Sequence, residues 1–178
     1  MDKMKNGQGF TDYEGIEAGD FEAFRGVVAE LRGEHGCPWD KEQTFESLKP
    51  CMVNEMTEAL AGIDLYGETG DSANLCEELG DVLLQVVLLA QIAKEEGLFS
   101  MEDVVRGIGK KMIRRHPHVF TDEPGTVLAK EVPGRWEEIK KAEKKKRTPQ
   151  QEKKEKEAFR KAAGWAVKHL EDKAQGKP

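Results

Sequence analysis

Between Leu79 and Ala93 the chain reads LGDVLLQVVLLAQIA, a run that is apolar on nearly every side of a helix and yet carries an aspartate near its start. A helix that is apolar all round must be covered by neighbours on more than one face. Its apolar stretch from Val82 to Ala93, with Gln85 and Gln91 inside it, is roughly half the ~20 residues that a bilayer span requires, so the cover has to be protein rather than lipid. A small domain supplies little of it, and a second copy of the chain related by two-fold symmetry is the commonest way to close such a surface. The expectation is therefore a homodimer or higher homo-oligomer. Asp81 within this run is equally constraining, because an unpartnered buried acid costs several kcal/mol or stays protonated.

The surrounding pattern is helical throughout, and no stretch alternates at period two. Phe21, Phe24, Val27, Val28 and Leu31 recur at three- and four-residue spacing behind Asp20, an N-cap residue, and predict a helix to about Arg32 that Gly33 and Gly36 stop. Residues 36–44, GCPWDKEQT, read as an ordered loop that carries Trp39. A second helix is expected over about 45–65, with Pro50 near its start, and the long third one over about 72–96 beyond Gly67, Gly70 and Asp71. Gly80 is read as the site of close helix approach. Ser100-Met-Glu-Asp103 resembles a capping box that opens a fourth helix ending near Arg115. Residues 119–132 read as loop, 135–147 as a helix, and Thr148-Pro149 as the break before a last Lys- and Glu-rich helix. The fold class is all-α. The domain plan is an unstructured lead-in over residues 1–19, a helical domain over 20–147 and a basic tail over 148–178.

Charge narrows the function classes. The formal net charge is -6, with about -14 on residues 1–138 and +8 on residues 139–178. An acidic core without a basic reading module is a poor binder of duplex nucleic acid. The start of the chain has no apolar export segment, so a cytoplasmic location and no membrane association are expected. Cys37, Cys51 and Cys76 form no CxxC pattern and are expected as reduced core thiols. There is no P-loop and no GxGxxG, and neither acidic pair continues as Glu-x-x-His, which disfavours a di-iron bundle.

The chemistry-bearing constellation is two acidic pairs. Glu55 and Glu58 share one helical face, as do Glu78 and Asp81, and a short turn makes their helices antiparallel neighbours. Four like charges brought together call for cations, and oxygen-only ligands suit hard divalent ions such as Mg2+, with Mn2+ as an alternative. In a chain with 35% charged residues a Glu-x-x-Glu pair is ordinarily a solvated helix face; the apolar setting of Asp81 argues otherwise here. Lys111 and Arg115, four apart at the end of the fourth helix, are placed to grip phosphate, or simply to offset the helix dipole. Trp39 and Trp136 are aromatics for base stacking or for a core or interface. His116 and His118, beside Pro117, read as structural hydrogen-bonding residues.

Together, GCPWDKEQT at 36–44, Glu55-x-x-Glu58, Glu77-Glu-Leu-Gly-Asp81, Arg114-Arg-His-Pro-His-Val-Phe120 and Trp136-Glu-Glu-Ile-Lys-Lys resemble the MazG-type nucleoside triphosphate pyrophosphohydrolases of the all-α NTP pyrophosphatase superfamily, over about residues 20–147. The resemblance implies a helical bundle of that type completed by dimerisation. It also implies Mg2+ held by Glu55, Glu58, Glu78 and Asp81, and hydrolysis of a nucleoside triphosphate between its α- and β-phosphates to a monophosphate and pyrophosphate. Glu55 or Glu58 would serve as general base. One departure is Asn54, which stands where the family's usual Glu-Glu-x-x-Glu has its first Glu. The alternative is a bundle kept as a binding or regulatory module whose site has decayed at Asn54.

Overall fold

The computed structural model describes residues 20–120, 128–145 and 147–177. The expected lead-in over 1–19 lies outside the described residues, as do 121–127 of the expected loop. Helices α1 (Phe21–Leu31), α2 (Pro38–Glu42), α3 (Lys49–Thr69), α4 (Ala73–Glu95), α5 (Met101–Arg115), α6 (Pro117–Phe120), α7 (Val132–Lys144) and α8 (Pro149–Ala174) follow in order, with a 3-10 turn at Ala129–Glu131 before α7. No strand occurs among the described residues, so the chain is all-α. The described residues form two compact units, divided between residues 101 and 102.

In the first unit α3 and α4 make the principal pairing, and α1 packs on α4. Asp20 caps α1 as its side chain accepts from the Ala23 N–H at 2.8 Å. The chain leaves α1 by folding back on it: the Cys37 N–H donates to the Leu31 carbonyl at 2.8 Å, and a Cβ on Gly36 would collide with the carbonyl oxygens of Leu31 and Glu30. The segment read as a loop then contains the one-turn helix α2, opened by Pro38 at its first position. Arg32 ties this segment down. Its buried guanidinium donates to the carbonyls of Asp40 and Gln43 and, through Nη2 at 2.7 Å, to Glu95 near the end of α4. The Arg32 hydrogen bonds hold the Glu95 carboxyl below its ordinary pKa.

Helix α3 runs past Gly67 to Thr69, four residues beyond the expected end, because Gly70 adopts φ +75 and its N–H donates to the Tyr66 carbonyl. The buried side of α4 holds Val87, Leu88, Ala90, Ile92 and Ala93, joined by Val28, Leu48, Ala59 and Met101. Gln85 is buried with them. Among the described residues, Leu79 and Leu83 on α4, and Met56, Leu60, Ile63 and Tyr66 on α3, are exposed. The close helix approach lies at Gly62, where a Cβ would stand 3.1 Å from both the Leu75 Cα and the Asn74 Oδ1. At Gly80, where it was expected, the space around a Cβ is open. The thiols also differ from expectation, since Cys37 and Cys51 are half-buried and Cys76 is exposed; all three are free.

In the second unit, α8 opens with a capping box between Thr148 and Gln151 and Pro149 at its first position. Phe159 and Val167 of its apolar stripe are exposed, and Trp165 stacks on His169 one turn later at 5.3 Å between ring centroids. No described helix is long and apolar enough to cross a membrane.

Candidate functional site

The α3–α4 pairing brings together Glu55, Glu58 and Glu78, each offering one carboxylate oxygen within 4.8 Å of the other two. Among the described residues this is the one such grouping of His, Cys, Asp and Glu side chains. Two elements of local structure produce it. The i,i+3 spacing sets Glu55 and Glu58 on one face of α3, and the contact at Gly62 lets α4 approach closely enough for Glu78 to meet them. Asp81, one turn further along α4, is half-buried and stands outside the trio.

The structure adds a residue that the sequence reading did not single out. Asn74 donates through Nδ2 to Glu78 Oε1 at 3.0 Å, while its Oδ1 faces Gly62. The same amide thus fixes the Glu78 carboxylate and fills the space beside the close approach. Its i,i+4 spacing from Glu78 on α4 was the available signal.

Two unit charges 4.8 Å apart repel by about 1 kcal/mol in water and by 3–4 kcal/mol at an effective dielectric constant near 20. A cation placed among the three carboxylates would offset that repulsion. The donor set fits a hard divalent ion: all oxygen, half-buried on two sides, and spanning little more than the roughly 4.2 Å across a Mg2+ octahedron.

In the second unit, Arg115 and Arg114 converge on Glu143 of α7. Arg115 Nη2 lies 2.6 Å from Oε2, and Arg114 Nη2 lies 2.6 Å from Oε1. These hydrogen bonds, Arg115 first, lower the Glu143 pKa to about 2. The Arg115 guanidinium also lies over Trp136, 5.4 Å from the ring centroid, with Lys140 Nζ at 5.3 Å. Trp136 is therefore half-buried in a cationic cluster, and its indole N–H has no hydrogen-bond partner among the described residues. Trp39, by contrast, is 56% exposed on α2. Lys111 is exposed one turn before Arg115. His116 donates from Nδ1 to the Met112 carbonyl at 2.7 Å, securing the end of α5, and its ring lies 5.8 Å from that of His118. Lys140 lies within the motif Trp136-Glu-Glu-Ile-Lys-Lys and Glu143 just beyond it, and nothing in their local spacing sets them against Arg115 and Trp136.

An all-α chain with a carboxylate trio on a close helix pair and a cationic cluster elsewhere is the class that the fold and side chains define. Residues 43–120 match the model of the MazG nucleotide pyrophosphohydrolase domain. The chain is 49% identical over 127 residues to the nucleoside triphosphate pyrophosphohydrolase/pyrophosphatase MazG of Thermotoga maritima, covering 71% of this chain and 46% of that one. It is 52% identical over 129 residues to the Bacillus subtilis (strain 168) protein named uncharacterized protein YabN, covering 70% of this chain and 24% of that one. To the Escherichia coli (strain K12) nucleoside triphosphate pyrophosphohydrolase it is 46% identical over 115 residues, 64% and 42% of the two chains. The chain thus spans from a quarter to just under half the length of these relatives. A crystal structure of a mazG-related protein from Thermotoga maritima matches with a TM-score of 0.51 and 27% identity over 66% of this chain and 96% of that one.

Proposed function

We propose that this chain hydrolyses nucleoside triphosphates between the α- and β-phosphates, releasing the nucleoside monophosphate and pyrophosphate, as a housecleaning enzyme of the cytoplasmic nucleotide pool. The observation that carries the reading is the trio of Glu55, Glu58 and Glu78 on a close helix pair within the segment that matches the MazG domain model. The catalytic unit is assigned to residues 20–147, with 148–178 as an appended basic tail.

Glu55, Glu58 and Glu78 would hold Mg2+, with Mn2+ as a substitute, and Asp81 one turn along α4 is assigned to the same set. When bound, the ion neutralises phosphate oxygens and makes a nearby water more acidic. Glu55 or Glu58 takes the proton of the water that attacks the α-phosphorus, the bond to the bridging oxygen breaks, and pyrophosphate leaves. Asn74 keeps the Glu78 oxygen turned inward through its 3.0 Å hydrogen bond. Within the second unit, Lys111 and Arg115 are assigned as phosphate-binding groups through their positive charge. Trp39, whose ring is open to solvent, is the better base-stacking platform, because Trp136 already lies beside two cations.

The exposed Met56, Leu60, Ile63, Leu79 and Leu83 support assembly as a homodimer or higher homo-oligomer through α3 and α4. A panel of ribo- and deoxyribonucleoside triphosphates with Mg2+, assayed for pyrophosphate as distinct from phosphate, tests the activity. Pyrophosphate release is expected, and no turnover of any triphosphate would refute it.

A further inference from the structure

Glu143 is the single acid in residues 139–147, a run that also holds six Lys and Arg. It is the carboxylate that two guanidiniums from α5 clasp. Arg114 uses Nε at 2.7 Å and Nη2 at 2.6 Å on one oxygen, and Arg115 uses Nη2 at 2.6 Å on the other. Arg115 is largely buried and Arg114 about half exposed, so the pair opens toward solvent on the Arg114 side. Planar guanidiniums arranged in this way around two oxygens would receive a phosphate in the same manner.

We propose that Glu143 is a built-in stand-in for phosphate: an internal counter-ion that fills the Arg114–Arg115 fork until a polyphosphate displaces it. This rests on the reading of Arg115 as a phosphate-gripping group and adds a control of affinity to it. Two guanidiniums on one carboxylate leave excess positive charge, and Lys140 adds to it beside Trp136. A tethered carboxylate brings one charge and two oxygens. A pyrophosphate or triphosphate tail brings more of both and can exchange with it, whereas an acid of similar size to the Glu143 side chain gains nothing by the exchange. The fork therefore favours polyphosphates and ignores single carboxylates.

The test is equilibrium binding of inorganic pyrophosphate by calorimetry in EDTA, so that neither turnover nor the carboxylate trio contributes. Glu143→Gln removes the competing charge and should tighten pyrophosphate by about tenfold, the scale of one charge-assisted hydrogen bond. Glu143→Asp keeps the charge but shortens the reach, and should tighten binding by less. Glu138→Gln removes the same charge from an exposed position on α7 and should leave binding near the unaltered protein's. Unchanged or weaker binding in both Glu143 variants, with helical circular dichroism intact, would make the contact a purely structural latch. Equal tightening in Glu138→Gln would reduce the effect to the general field, and absence of pyrophosphate binding in every form would also overturn the proposal. A chain that turns over no triphosphate yet shows the Glu143 effect would refute the enzymatic reading and leave this one standing.

Discussion

Gly62→Ala tests how the fold builds the carboxylate trio. At an ordinary exposed helix position, replacing Gly by Ala stabilises by about 0.8–1 kcal/mol. At Gly62 the new Cβ would stand 3.1 Å from the Leu75 Cα and 3.1 Å from the Asn74 Oδ1. Carbon atoms pack best at about 3.5–4.0 Å, so α3 and α4 have to part by a few tenths of an ångström. Overpacking of this kind costs about 1–3 kcal/mol, which offsets the propensity gain and leaves a net loss of about 0–2 kcal/mol. The Asn74 amide cannot swing away without giving up Glu78, so the same methyl group should lower turnover. Gly80→Ala is the matched control on the partner helix: its Cβ meets open space, and it should gain close to the full propensity term. Urea denaturation with a steady-state rate for each variant provides the comparison. If Gly62→Ala proves as stabilising as Gly80→Ala, with the rate unchanged, the close approach at Gly62 does not shape the site.

The remaining predictions concern single contacts. Glu78→Gln and Asp81→Asn should each abolish turnover while leaving the helical circular dichroism signal intact; unchanged activity in both would mean that the acidic residues are misassigned. Asn74→Ala should reduce the rate about tenfold or more and weaken Mn2+ binding, as expected when an outer partner of a metal-holding carboxylate is lost, and full activity would sink its positioning role. Arg32→Met should cost about 1.5–3 kcal/mol, the scale of hydrogen bonds to a charged group, measured by urea unfolding at neutral pH. Because Arg32 lowers the Glu95 pKa in the folded chain, that contribution is complete above the ordinary carboxylate pKa and is lost as pH falls through the depressed one. The penalty of Arg32→Met should therefore shrink below about pH 4.5, and a penalty independent of pH would contradict the pairing.

Much of this was legible in the sequence, and the exceptions have physical causes. Helical spacing and the turn at Gly70 and Asp71 were enough to set α3 against α4, and hence Glu55 and Glu58 near Glu78. The one-turn helix Pro38–Glu42 is too short to show any periodicity. The end of α3 was misread because Gly67 looks like a stop, whereas the positive φ that ends the helix belongs to Gly70. Gly80 lies inside an acidic motif and drew the inference of close approach, but which glycine faces the partner helix depends on rotation about the axis, and that falls to Gly62. The pairing of Arg115 with Glu143 joins residues 28 positions apart in a run full of candidate partners, so local spacing carries no signal for it.

The most direct test of the central claim is phosphorus NMR of a nucleoside triphosphate incubated with the protein and Mg2+. Monophosphate and pyrophosphate resonances should grow together in equal amounts, and they should be absent with EDTA or with Glu78→Gln. Growth of diphosphate and inorganic phosphate, or product formation that survives both controls, would contradict the account.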